Sequence, residues 1–155
     1  MKFSLGKYFL ILLTFSFSCE KSNEVDKNID YINVYFIQKG TTYPIRIDCS
    51  FVADQERSIE EIHYKKITNN EFIDKFLSLK NVLTESKDSK PVDSKIKVFI
   101  KYKNNKKDSI CFGAYHGIEI DGVKMNDSEE LLEVLKNEIN YDNTFRSLDE
   151  ILNSK

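Results

Sequence analysis

The stretch KIKVFIKYKNNKKDSICFGAY, Lys95 to Tyr115, decides the architecture. Ile96, Val98, Ile100 and Tyr102 alternate with Lys95, Lys97, Lys101 and Lys103, and Phe99 falls in the lysine series. Side chains along a strand alternate between faces, so the pattern predicts a strand with one apolar and one lysine-rich face. A second strand follows, and the loop between them sets the register. A two-residue turn at Asn104-Asn105 would put Ile100 opposite Ser109 and mix the faces. An odd loop centred on Asn105 puts Ile100 opposite Ile110, Val98 opposite Phe112 and Ile96 opposite Ala114. A slip of one residue would turn the apolar set to solvent, so the odd loop is expected. The stretch is thus a hairpin of an antiparallel sheet.

Upstream, YINVYFIQKGTTYPIRIDCSF reads as another hairpin. Ile32, Val34 and Phe36 alternate, as do Ile45, Ile47 and Cys49. A turn at Gly40-Thr41 sets Phe36 opposite Ile45, Val34 opposite Ile47 and Ile32 opposite Cys49, with glycine where a type II′ turn requires it. The run DQERSIEEIHYKKI has two readings. Ser58 and Glu61 could form a capping box, or a loop could lead into a strand at Ile62–Ile67, which is preferred. In TNNEFIDKFLSLKNVL, Thr68 and Glu71 form a capping box, and Phe72, Ile73, Phe76 and Leu77 make one apolar helical stripe. TESKDSKPVDS is a polar loop between strands that share a sheet.

Downstream, IEIDGVKM is a small hairpin with Asp121-Gly122 as a type I′ turn. NDSEELLEVLKNEI is a helix capped by Asn126 or Asp127, with acids in its first turn and Leu131, Leu132, Leu135 and Ile139 facing the sheet. Ser147 and Glu150 suggest a last short helix. Grouped strands with helices between them predict an α+β fold: an antiparallel sheet of about five to six strands built from hairpins, with two main helices on one face. Val34, Phe36, Ile45, Ile47, Ile96, Val98, Ile100, Ile110 and Phe112 are expected to share one buried sheet face.

Ahead of this domain stands FLILLTFSFSCEKSN, Phe9 to Asn23. Lys2 and Lys7 precede an uncharged run that stops at Cys19, where charge begins. The run is shorter than the roughly 20 apolar residues that a membrane-spanning helix needs. A short apolar segment behind a basic start reads as a secretory signal. SFSC resembles the lipobox of bacterial lipoproteins. Ser18 matches the small residue before the cysteine, while Ser16 and Phe17 depart from the usual leucine and smaller residue. The resemblance implies diacylglycerol on the Cys19 sulfur and acylation of its new amino group, so the membrane is the expected partner through that lipid. It covers residues 1–19 and carries no implication for the rest. The expected organisation is a signal at 1–18, a lipidated cysteine and flexible tether at 19–28, and a single domain at 29–155.

The whole chain carries 23 basic and 25 acidic side chains. Removal of the signal leaves the body near −4, 21 basic against 25 acidic, so no global field points to nucleic acid or an anionic bilayer. Cys49 and Cys111 remain, and an oxidising envelope permits a disulfide. The expected registers put them on opposite faces of the sheet and argue against one. His63 and His116 lack the close ligand spacing of a structural zinc site, so no metal or other cofactor is expected. There is no GxSxG, phosphate-binding glycine loop or HExxH. Asp48, Asp54 and Asp121 are carboxylates near strand ends or turns; two of them could pair for acid–base work, but turn and cap duty accounts for Asp121 and Asp54.

The exposed feature that stands out is basic. Lys95, Lys97, Lys101 and Lys103 share a strand face with Phe99, and Lys106 and Lys107 continue at the tip. Lysines on a sheet edge block edge-to-edge aggregation, and that is the preferred reading. The functional alternative is an anion-binding face for lipid headgroups, acidic glycans or an acidic protein. The sequence therefore predicts a small lipid-anchored protein of the cell envelope, at the outer membrane or cell surface, with a non-catalytic binding or scaffolding role. Rivals are an inhibitor or immunity protein that blocks a toxic enzyme, and a hydrolase whose site gathers Asp48, His63 and His116.

Overall fold

The Lys95–Tyr115 hairpin lies in the middle of the sheet, where a strand needs an apolar face wide enough to be covered. The computed structural model describes residues 28–53 and 62–144. Cys19, the tether before Asn28, Asp54, the Ser58–Glu61 capping box and the last helix at Ser147 lie outside the described residues. In chain order the elements are β1 (Ile29–Ile37), β2 (Ile62–Ile67), α1 (Asn70–Asn81), β3 (Ile96–Tyr102), β4 (Lys107–Phe112), β5 (Ile118–Ile120), β6 (Val123–Met125) and α2 (Glu129–Ile139). The strands form one antiparallel sheet in the order β2-β1-β3-β4-β5-β6. Both helices pack on the same face, so the fold is α+β as expected.

The core between sheet and helices is apolar and continuous. Ile32, Val34, Ile96, Val98, Ile100 and Ile110 are fully buried against Phe76, Leu131 and Leu135. Phe76 stacks on Phe72 and meets Phe112 edge-on. The predicted stripe of α1 and the predicted four-residue face of α2 are both buried. Each cap sits beside its predicted residue. Asn69 rather than Thr68 accepts from the Glu71 amide, and Ser128 rather than Asn126 or Asp127 accepts from the Leu131 amide. Those oxygens satisfy donors that the first helical turn leaves without partners.

The loop between β3 and β4 is odd, but it is centred one residue earlier than expected. Ile100 faces Asp108, Val98 faces Ile110 and Ile96 faces Phe112. Lys103, Asn104 and Asn105 form the loop, and Asn105 takes φ 66°. A three-residue loop ending in a left-handed residue is a favoured hairpin connection, and asparagine tolerates that conformation. The shift is even, so every side chain keeps its face. Asp108 shares the core-side parity of Ile110 and Phe112 in either register, and the shift sets it opposite Ile100. The Asp121-Gly122 turn is as expected, with φ 48° and 86°.

The predicted hairpin at 32–49 does not form. The turn after β1 is closed by Thr41 N–H donating to Gln38 O, and Gly40 at its third position takes φ 87°. That geometry does not return the chain into a two-residue hairpin, whose twist needs a primed turn. Pro44 would also have removed a ladder donor. Both edges of β1 are instead taken by β2 and β3. Residues 38–53 cross to the outer face of the sheet, away from the helices. There Ile47 and Val52 bury against Ile37 in a second, smaller core, while Ile45 is 73% exposed. Ile47 is pinned by its amide to Asp93 Oδ1 at 2.8 Å and by its carbonyl to the Ser94 amide at 2.9 Å.

This strap brings Cys49 to Cys111. The two form a disulfide with a Cα–Cα distance of 5.6 Å, which corrects the expectation that they stay apart. Cys111 does point away from the helices, as its parity requires. The error lay in giving Cys49 a strand register it does not have.

Candidate functional site

The outer face of the sheet divides at Lys97. On one side the strap and its disulfide cover the strands. On the other side β1, β2, β3 and β4 present Tyr31, Asn33, Tyr64, Phe99, Lys101 and Lys107 without a covering element among the described residues. Pleat parity puts these side chains opposite the helical core, because their neighbours fill it.

Lys97 sits at the boundary. It lies opposite Tyr35 on β1 and Cys111 on β4, and it is 9% exposed. No carboxylate oxygen among the described residues lies within 4 Å of its amine, and the same holds for Lys66, Lys101 and Lys107. Burial pushes the Lys97 amine below the ordinary lysine range, the nearby charge of Lys107 pushes the same way, and Glu119 opposes both. Lys101 and Lys107 lie directly opposite one another in the ladder. Like charges in that position destabilise a sheet.

Aromatic rings take the place of carboxylates. The Lys107 amine lies 3.4 Å and the Lys97 amine 5.0 Å from the centre of the Phe99 ring. The Lys66 amine is 4.0 Å from the centre of the Tyr31 ring. The negative face of a ring attracts a cation at these distances, but does not cancel its charge. The result is a positive, ring-studded surface on an otherwise acidic protein.

The predicted lysine face is therefore redrawn. Lys97 and Lys101 belong to it. Lys95 has turned toward the strap, 3.5 Å from Asp93 and over the Tyr43 ring. Lys106 pairs with Asp108 at 3.2 Å and lies near Tyr102, on the helical side. Lys103 is exposed in the loop and donates its amide to Asn28 O. Lys66 and Lys107 join the face. Lys66 went unseen because β2 had not been placed beside β1, whose Asn33 lies opposite it. The edge-protection reading fails as well, since β3 is a central strand and the sheet edges are β2 and β6.

Two other clusters were candidates. Asp108, 6% exposed, accepts from Tyr102 Oη at 2.7 Å and faces Lys106 at 3.2 Å and Lys80 at 3.4 Å. Burial would raise its pKa, but the bonds from Tyr102 and Lys106 and the charge of Lys80 outweigh it and hold the carboxyl below its usual range. Its charge is matched from within the fold, which suits a structural group. An open cleft of about 480 Å³ lies between the Lys39–Tyr43 loop, the 88–95 segment and the Gly113–Gly117 turn. Three of its lysines already hold carboxylates: Lys39 pairs with Asp142, Lys95 with Asp93, and Lys124 with Asp88 at 2.6 Å. Burial pushes the Tyr141 hydroxyl in its wall up to about 12, so it stays a phenol.

The three residues suggested for a hydrolase do not meet. Among them the cleft includes only His116, an exposed turn residue before Gly117 at φ 91°. His63 stacks on Phe36 from β2, and Asp48 pairs with Arg46 at 2.6 Å. Among the described residues no cluster of three His, Cys, Asp or Glu side chains could hold a metal ion, and no helix is long and apolar enough to cross a membrane. No family model, curated protein or solved structure matches the chain.

Proposed function

We propose that this chain is a lipid-anchored protein of the bacterial cell envelope with a non-catalytic binding role, and that it holds an anionic ligand on the open half of its outer sheet face. One observation carries the binding role. Four lysines share that face without a carboxylate partner among the described residues, one of them buried and two of them opposed. Such an arrangement costs stability, and folds retain unfavourable local choices chiefly where function needs them. The anchor rests on the Cys19 junction, and the Cys49–Cys111 disulfide supports it, because such bonds persist in oxidising compartments. The dispersal of Asp48, His63 and His116 favours binding over hydrolysis.

Two measurements test the reading. Metabolic labelling with a clickable fatty acid should mark the natural chain and leave Cys19→Ala unlabelled and unprocessed. Label retained on that variant defeats the anchor. For the binding face, the processed protein in neutral detergent is passed over a carboxylated matrix at rising salt. Lys101→Glu with Lys107→Glu should elute at clearly lower salt than Lys75→Glu with Lys87→Glu, which changes net charge equally but elsewhere. Equal elution defeats the assignment of the face, because charge alone would then explain retention.

A further inference from the structure

The rings among the lysines point to the ligand's class, provided the outer face is an anion-binding surface as proposed above. Tyr64, Tyr35 and Phe99 form a row across β2, β1 and β3, with successive ring centres 5.1 and 5.9 Å apart, the first pair tilted and the second edge-on, so Tyr35 and Phe99 buttress the outermost ring, Tyr64. Tyr64 is 53% exposed, and its hydroxyl donates to Asn33 Oδ1 at 2.9 Å, which fixes the ring's orientation. Tyr31 and Phe99 are half-buried at the open end. Large rings left partly in water and rimmed by polar groups mark binding surfaces. A ligand that uses both parts of this surface is flat and weakly polar on one side and negatively charged at its rim.

We propose that the open half of the outer face binds an acidic polysaccharide. The C–H face of a sugar ring packs on Tyr64, the exposed ring of the row, and the carboxylates or sulfates of that sugar and its neighbours pair with Lys66, Lys101 and Lys107. Lys97, opposite Tyr35 in the ladder, gains a closer counter-charge than Glu119 supplies. A lipid headgroup would engage the lysines and leave the row of rings unused. Single-stranded nucleic acid would use both, but the disulfide and the export signal favour a compartment in which glycans are the accessible polyanions.

The test uses the processed protein in neutral detergent, with polygalacturonate as the acidic glycan. Dextran, anionic phosphatidylglycerol vesicles and a single-stranded oligonucleotide serve as comparisons. Polygalacturonate should bind with salt-sensitive affinity and dextran should not. Tyr64→Leu should weaken the complex roughly tenfold, and Lys101→Glu with Lys107→Glu by more than that at low salt. Circular dichroism checks that each variant is folded, and Tyr64→Phe should retain most of the affinity because it keeps the ring. Tighter binding of vesicles or oligonucleotide, unchanged by Tyr64→Leu, would overturn the glycan assignment and leave the anion-binding reading standing. Equal binding of dextran would overturn the role of charge. Absence of salt-sensitive binding to every probe would overturn both.

Discussion

Two charges lie buried on opposite faces of the same hairpin. Asp108, on the helical face, has three donors or cations around it. Lys97, on the outer face, has none of opposite sign within 4 Å among the described residues. Burying a charge is tolerable when it is paired and costly when it is not. The helical face therefore closes its electrostatics internally, as a core should. The open half of the outer face leaves Lys66, Lys97, Lys101 and Lys107 without a carboxylate within 4 Å among the described residues, and Lys101 and Lys107 repel one another across the ladder. The difference separates a face whose buried charge is matched from within from one whose buried charge is not.

That contrast can be broken most severely from the helical side. Phe76 is fully buried and touches both Phe72 and Phe112. Phe76→Ala should cost about 3–5 kcal/mol, a large part of the roughly 5–15 kcal/mol that holds such a domain. A denaturant midpoint close to the natural chain's would show that the core is misplaced. A smaller effect is expected from Cys49→Ser with Cys111→Ser. The bond joins positions 62 residues apart, and removing it should cost about 2–4 kcal/mol, mainly by freeing the unfolded chain. The strap should loosen first, so Lys97 should react faster with an acylating reagent while the amides of β3 stay protected from exchange. Unchanged Lys97 reactivity would mean that the disulfide does not maintain the boundary between the covered and open halves. The smallest effect sharpens the comparison. Lys101→Glu with Lys107→Glu should shift stability by under about 0.5 kcal/mol, since substitutions of surface charges change stability little. A loss as large as that of Phe76→Ala would contradict that division of labour.

The helical face was legible because its signals are short-range. Alternation in β3, the 3.6-residue stripe of α1 and the Asp121-Gly122 turn each follow from a few neighbouring residues. Of the expected sheet core, all but Ile45 and Ile47 lie where the pattern put them. The register of β3 against β4 shifted by an even step, which the alternation cannot detect because it preserves faces.

Failure came where two readings shared one pattern. Ile45, Ile47 and Cys49 alternate like a strand, yet Pro44 and the turn at Gly40 send that segment across the sheet as a strap. The same misreading concealed the disulfide and the burial of Lys97. The lysine series on β3 was visible, but its meaning depends on neighbours far away in sequence. Lys66 and Tyr64 arrive from β2, and Lys107 from β4, only once the strand order is known.

The central claim is that the open half of the outer face, rather than the cleft, receives the ligand. Acetylation footprinting of the protein, read residue by residue by mass spectrometry with and without polygalacturonate, tests it directly. Lys66, Lys101 and Lys107 should be shielded when the polymer is present, while Lys75, Lys87, Lys90 and Lys124 keep their rates. Shielding of Lys90 and Lys124 at the cleft, or of no lysine on the open face, would contradict the account.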